Sequence, residues 1–245
     1  MTMALALACL AIVLGGIMKG AIGAGVPVIA APALTMLFDV QTAVAILVVP
    51  NLLSNVVQGW TYRRQAMPPR FLALFAGGAM AGVVVGSWLL AVLSKDVLSL
   101  FVVAAVVLYI ALRIARPGWV LKMPLAQRLA APAGALGGLL QGATGISAPA
   151  SITFLNAMRL GRETFIGTIS IYFLLMTAMQ IPALWGLGIL TGERLAQGFA
   201  ALALVLLSMP FGTWLGKRAR PEVFDRIMLG TLAVLSAKML YDVVA

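Results

Sequence analysis

Long apolar runs alternate with short polar breaks from one end of the chain to the other. The runs fall at about 3–18, 26–38, 41–60, 71–93 and 96–115, then at about 127–141, 147–158, 164–190, 195–215 and 222–244. The breaks coincide with charge or with Gly and Pro: Asp39, "YRRQAMPPR", "SKD", "RIARPGWVLKMP", "RLGRE", "TGER" and "GKRARPE". Runs near twenty residues match a hydrocarbon core of about 30 Å, crossed at about 1.5 Å per residue. The pattern predicts an all-α integral membrane protein. A membrane β-barrel would read as short alternating segments, which the chain lacks. The stretch from Arg116 to Pro124 is the natural linker, dividing one membrane domain into residues 1–118 and 119–245.

The two parts repeat each other. "GGIMKGAIGAGVP", Gly15 to Pro27, is echoed by "GGLLQGATGISAP", Gly137 to Pro149. Gly15, Gly16, Gly20, Ala21, Gly23 and Pro27 each have an identical residue 122 positions later, and Gln58 pairs with Gln180 at the same offset. "GSWL" from Gly86 pairs with "GTWL" from Gly212 at an offset of 126. A register held across so many elements points to an internal duplication.

Charge then bears on orientation. Of 17 Lys and Arg residues, 13 lie in the segments 61–70, 113–128, 159–163 and 217–226. If each glycine break is the turn of a hairpin that enters and leaves on one side, all four segments share a side. The second half is then upside down relative to the first. If each break is a kink within one span, the halves are parallel and the basic residues divide almost evenly. The positive-inside rule favours the hairpin. The expected architecture is therefore two inverted repeats, each a re-entrant or broken helical hairpin followed by three transmembrane helices. Both termini then lie outside the cytoplasm. The arms at 26–38 and 147–158 are too short to cross the membrane, and paired broken helices in inverted repeats are a transporter signature.

A break at membrane depth leaves backbone N–H and C=O groups unpaired, at several kcal/mol each unless protein or a wet cavity satisfies them. The glycines let backbone approach a ligand closely. Helix N-termini near Gly25–Val28 and Ser147–Ala150 would then point toward the bilayer centre and make an anion site. Lys19 adds a full charge on one side only, because Gln141 is its counterpart; a lysine at mid-membrane is a functional candidate by default. Asn51, Asn55 and Gln58 share one face of a span, and Thr144, Ser147, Thr177 and Gln180 add polar groups from the second half. Each has the plainer reading of a helix–helix hydrogen bond.

Composition removes other classes. All seven acidic residues lie in loops or near span ends, there is no histidine, and Cys9 is the single cysteine. No intramembrane proton relay, nucleophile–base pair or metal cluster is evident, so neither an enzyme nor a cofactor is expected. The net charge of +10 sits in short loops, where it sets orientation and meets anionic lipid rather than nucleic acid.

The glycine segment "GGIMKGAIGAGVPVIAAPAL", its echo "GGLLQGATGISAPASITFL" and the span opening "RETFIGTIS" resemble the TauE/SafE sulfite exporter family, the sulfonate uptake permeases. The resemblance covers essentially the whole chain. It implies a multi-pass protein of the prokaryotic inner membrane whose partner is a small anion, sulfite or an organosulfonate such as sulfoacetate. By the same resemblance Lys19, Gly20, Gly23, Gly25, Gly142, Gly145 and Ser147 are the substrate-region positions. The leading expectation is export without a coupling ion, by alternating access around breaks near the bilayer midplane. Uptake coupled to Na⁺ or protons and a non-transporting membrane scaffold are the alternatives, and a homo-oligomer is compatible with the sequence.

Overall fold

A computed structural model of the protein describes residues 2–115, 120–218, 229–235 and 237–238. Nine helices are bounded within them: α1 (Thr2–Ile22), α2 (Val26–Leu37), α3 (Val40–Thr61), α4 (Pro69–Val92), α5 (Lys95–Ala115), α6 (Met123–Thr144), α7 (Ser151–Ala157), α8 (Arg162–Gly186) and α9 (Gly192–Gly216). Residues 229–235 are also helical. Six of these helices (α1, α3, α4, α5, α8 and α9) are long and apolar enough to cross a membrane. The described residues contain no strand.

Local chemistry sets the boundaries. Asp39 caps α3 by accepting the Thr42 N–H at 2.7 Å, and the Thr191 hydroxyl accepts the Arg194 N–H at 3.3 Å at the start of α9. Pro68 and Pro69 open α4, where no N–H is needed. Gly145 ends α6 in the left-handed region at φ 75° and donates its N–H to the Gln141 carbonyl at 2.8 Å.

Small residues bring helix backbones together. Gly78, Gly82 and Gly86 of α4 face Gly134, Gly138 and Gly142 of α6 so closely that a Cβ at these positions would strike the opposing backbone. Gly16 and Gly20 of α1 meet α9 in the same manner, with Gly212 and Gly216 reciprocating. Contacts advance together along both partners, so α4 runs parallel to α6 and α1 parallel to α9. The arrangements are equivalent: Gly142 abuts Val83 and Ser87, and Gly20 abuts Met209 and Thr213, each pair related by the sequence offsets 122 and 126. At the centre α3 and α8 cross antiparallel. Asn51 meets Thr177, Gln58 meets Ser170, and the Tyr62 carbonyl lies beside Gly167.

One end of the bundle therefore collects the C-termini of α1, α3 and α9 and the N-termini of α4, α6 and α8. Ala21 sits there beside Gly216 and Arg162, and Arg70 lines a groove with Arg128. The opposite end holds Asp39, its ion pair with Lys95 at 3.3 Å, and Arg194 donating to Thr42 at 3.0 Å.

Two expectations need correction. The first concerns the second break. Its returning helix starts at Ser151 rather than near Ser147, because the first turn is distorted: the Ser147 carbonyl accepts both the Ala150 and Ser151 N–H groups, and Thr153 reaches back to Ala148. The second concerns depth. The two turns do not face each other at the midplane: Gly23 packs on Ile166 near the start of α8, and Gly145 packs on Val44 near the start of α3, at opposite ends of the bundle. The reason is length. α1 and α6 have 21 and 22 residues, enough to run most of the way through, and only the returning arms are short.

Candidate functional site

From Gly23 the chain doubles back along α1. Gly23 at φ 82° and Gly25 at φ 155° adopt dihedrals that suit glycine, and Gly25 lies against Met18 and the Lys19 backbone. Val26 then packs on Gly15, so α2 begins well back from the turn. The returning strand of backbone walls off the side chain of Lys19.

Lys19 is only 1% exposed. Its ammonium donates to the Gly23 carbonyl at 3.1 Å and to Asn55 Oδ1. Asn55 Nδ2 donates to the Asn51 carbonyl at 2.6 Å and to Asn51 Oδ1 at 3.0 Å, and Asn51 Nδ2 donates to Thr177 Oγ1 at 2.9 Å. Gln58 Nε2 binds the Lys19 carbonyl at 2.9 Å, and Ser170 donates to Gln58 Oε1 at 3.4 Å. The ring of Phe173 stands 5.8 Å from the ammonium. A buried polar chain thus runs from the first hairpin, through the middle of α3, into α8. Both hydrogen-bond acceptors of Lys19 among the described residues are neutral. A buried charge is costly unless paired, and no carboxylate hydrogen-bonds to Lys19 among the described residues.

The second-half residues stand apart from this chain, Thr177 excepted. The Thr144 hydroxyl donates to the Leu140 carbonyl at 2.7 Å and accepts the Ile146 N–H at 3.1 Å. Ser147 and Ser151 hydroxyls pair at 2.8 Å. Gln141 and Gln180 are buried, yet Gln141 Oε1 and Gln180 Nε2 have no hydrogen-bond partner among the described residues. Gln58 satisfies the carbonyl at the Lys19 position, whereas Gln180 makes no such bond to Gln141 among the described residues. Gly20 and Gly142 face α9 and α4 rather than the polar chain; their absent side chains serve packing.

Sequence reasoning missed Ser170 and Phe173. Both sit on the α8 face that carries Thr177, and helical spacing from Thr177 was the signal available. It also read Arg162 only as a loop charge. Its Nη2 donates to the Ala21 carbonyl at 3.1 Å, two residues from Lys19.

The model of the family described as Sulfite exporter TauE/SafE matches residues 8–239. No curated protein and no solved structure matches.

Proposed function

The chain belongs to the TauE/SafE sulfite exporter family, and from that premise we propose that it exports a small sulfur oxyanion held against Lys19. The family is one of membrane transporters of sulfite and related sulfur anions, not of enzymes. The observation that carries the site is the buried ammonium of Lys19, with two of its three donors on neutral oxygens and no carboxylate hydrogen-bonded to it among the described residues. An anion balances that charge and takes the remaining donor. Asn55, Asn51 and Thr177 hold the lysine in place and link the two halves.

The antiparallel crossing of α3 and α8 supports an inverted-repeat arrangement, with the two halves rocking about that crossing to alternate access. The clustering of Arg70, Arg128 and Arg162 at one end supports a cytoplasmic assignment for that end, in an inner membrane with both termini on the far side. A monoanion leaving a negative interior gains about 2.3 kcal/mol per 100 mV, so efflux needs no coupling ion. In proteoliposomes, efflux of labelled sulfite or sulfoacetate is expected to quicken as the interior is made more negative. A rate indifferent to imposed potential would exclude this reading.

One observation favours a second reading. Gln141 Oε1 is a buried acceptor without a donor, and such an oxygen suits a cation that drives uptake. Uptake that requires external Na⁺ would select it over export.

A further inference from the structure

A cavity of about 220 Å³ lies behind the first hairpin turn, at the end of the bundle where the basic segments collect. One bound water needs only about 10–15 Å³ by the same measure. Ala21, Ile22 and Ala24 form one wall, so the four-residue stretch Ala21–Ala24, whose Gly23 carbonyl binds Lys19, stands between this cavity and Lys19. Arg113, Arg162, Asn156 and Tyr109 supply its polar groups, and Ile152, Phe165 and Ile22 supply an apolar flank. No carboxylate lines it among the described residues. Among the described residues Arg162 is not saturated: Nη2 binds the Ala21 carbonyl, while Nε is buried without a partner there.

The duplication makes a built-in comparison. The positions 122 residues before Asn156 and Arg162 are Leu34 and Val40. Leu34 borders an apolar cleft at the other end of the bundle, together with Ala8, Ile12 and Phe38. The cleft at the other end has Thr42 and Gln197 as its polar lining and no guanidinium among its lining residues, whereas Arg113 and Arg162 line this cavity.

We infer that this cavity is a second anion site, a vestibule that takes a small organic oxyanion by its charged head. Arg162 and Arg113 meet the oxyanion with charge-assisted hydrogen bonds, Asn156 adds an amide donor, and the apolar flank receives a short carbon tail. An anion drawing on Arg162 competes with the Ala21 carbonyl, and so loosens the wall in front of Lys19. The site stands on its own residues and does not depend on an anion at Lys19.

Calorimetric titration of the purified full-length protein with sulfoacetate, at constant ionic strength set by chloride, tests it. The expected result is two bound anions in the unaltered protein and one in Lys19→Gln. In Arg162→Gln the vestibule Kd should weaken roughly tenfold to a hundredfold, the loss of a charged hydrogen bond. Asn156→Leu leaves the Arg162–Ala21 bond in place and should weaken the same site by several fold. It decides the matter if Arg162→Gln fails to fold. Binding abolished by Arg162→Gln but untouched by Lys19→Gln would keep the vestibule and sink the Lys19 reading. Unchanged stoichiometry and Kd in Arg162→Gln, or in Asn156→Leu where only that variant folds, overturns the vestibule.

Discussion

Replacing Lys19 by glutamine isolates charge from shape. The second repeat already carries Gln141 at the equivalent position of the same helix, so the frame accepts that side chain. Glutamine keeps a donor for Asn55 Oδ1 or for the Gly23 carbonyl, the two acceptors of the ammonium. Without ligand, the variant loses one charged hydrogen bond but also sheds a buried, uncompensated charge, so its melting temperature should hold or rise. With ligand the result differs. A charge-assisted bond is worth about 1.5–3 kcal/mol, so Kd for the anion should rise about 10- to 150-fold. At an anion concentration of roughly 100 times the original Kd, binding stabilises the unaltered protein by about 2.7 kcal/mol. If Kd rises about 100-fold, the same concentration yields about 0.4 kcal/mol. On the scale of a domain of this size, the part of the melting shift that comes from this site should shrink from roughly 5–10 °C to about 1–2 °C. Thermal unfolding with sulfite or sulfoacetate, and with a neutral analogue as control, reads this directly. An equal anion-dependent shift in Lys19→Gln would refute the assignment of the central charge.

Two further outcomes probe the frame. Gly142→Ala would set a Cβ 2.6 Å from the Ser87 nitrogen and the Val83 carbonyl, both backbone; the helices must part at about 1–3 kcal/mol, seen as a lower melting temperature. Gly77→Ala, where nothing lies within 4 Å, should be neutral or stabilising by up to about 1 kcal/mol. Asp39 lies outside the spans. Burial alone would raise its pKa, but the Thr42 hydrogen bonds and Lys95 outweigh this and hold it below the usual 3.8. Its contribution is thus complete above the ordinary carboxylate range and fades as pH falls through the folded value. Melting temperatures between pH 6 and 3 should fall less steeply in Asp39→Asn than in the unaltered protein; equal slopes would remove Asp39 from the account.

The helical frame was legible because hydropathy reports depth, and charge and proline report ends. The breaks were legible too, since few residues besides glycine accept the dihedrals found at Gly23, Gly25 and Gly145. Where those breaks sit was not. Sequence gives the length of an apolar run but not the point at which a neighbour stops it, so α1 and α6 run further than the half-arms expected. Glycine also has two uses that look alike in one dimension. Gly23 bends the chain beside Lys19, whereas Gly20, three residues earlier, admits the backbone of α9. Only the identity of the neighbour separates these roles, and that neighbour lies almost two hundred residues away. Arg162 was hidden for the same reason: a basic residue between apolar runs reads as an orientation signal until a cavity is seen around it.

The close parallel pairing of α1 with α9 has a consequence for how the polypeptide is made. α1 leaves the ribosome well before its glycine-fitted partner α9, almost two hundred residues further on, has been synthesised. Until then the notch around Gly16 and Gly20 is filled by lipid tails, which cannot match a helix ridge. Commitment to the native arrangement therefore awaits the synthesis of α9 rather than the insertion of any earlier segment, and a nascent protein truncated before α9 is left with an open seam.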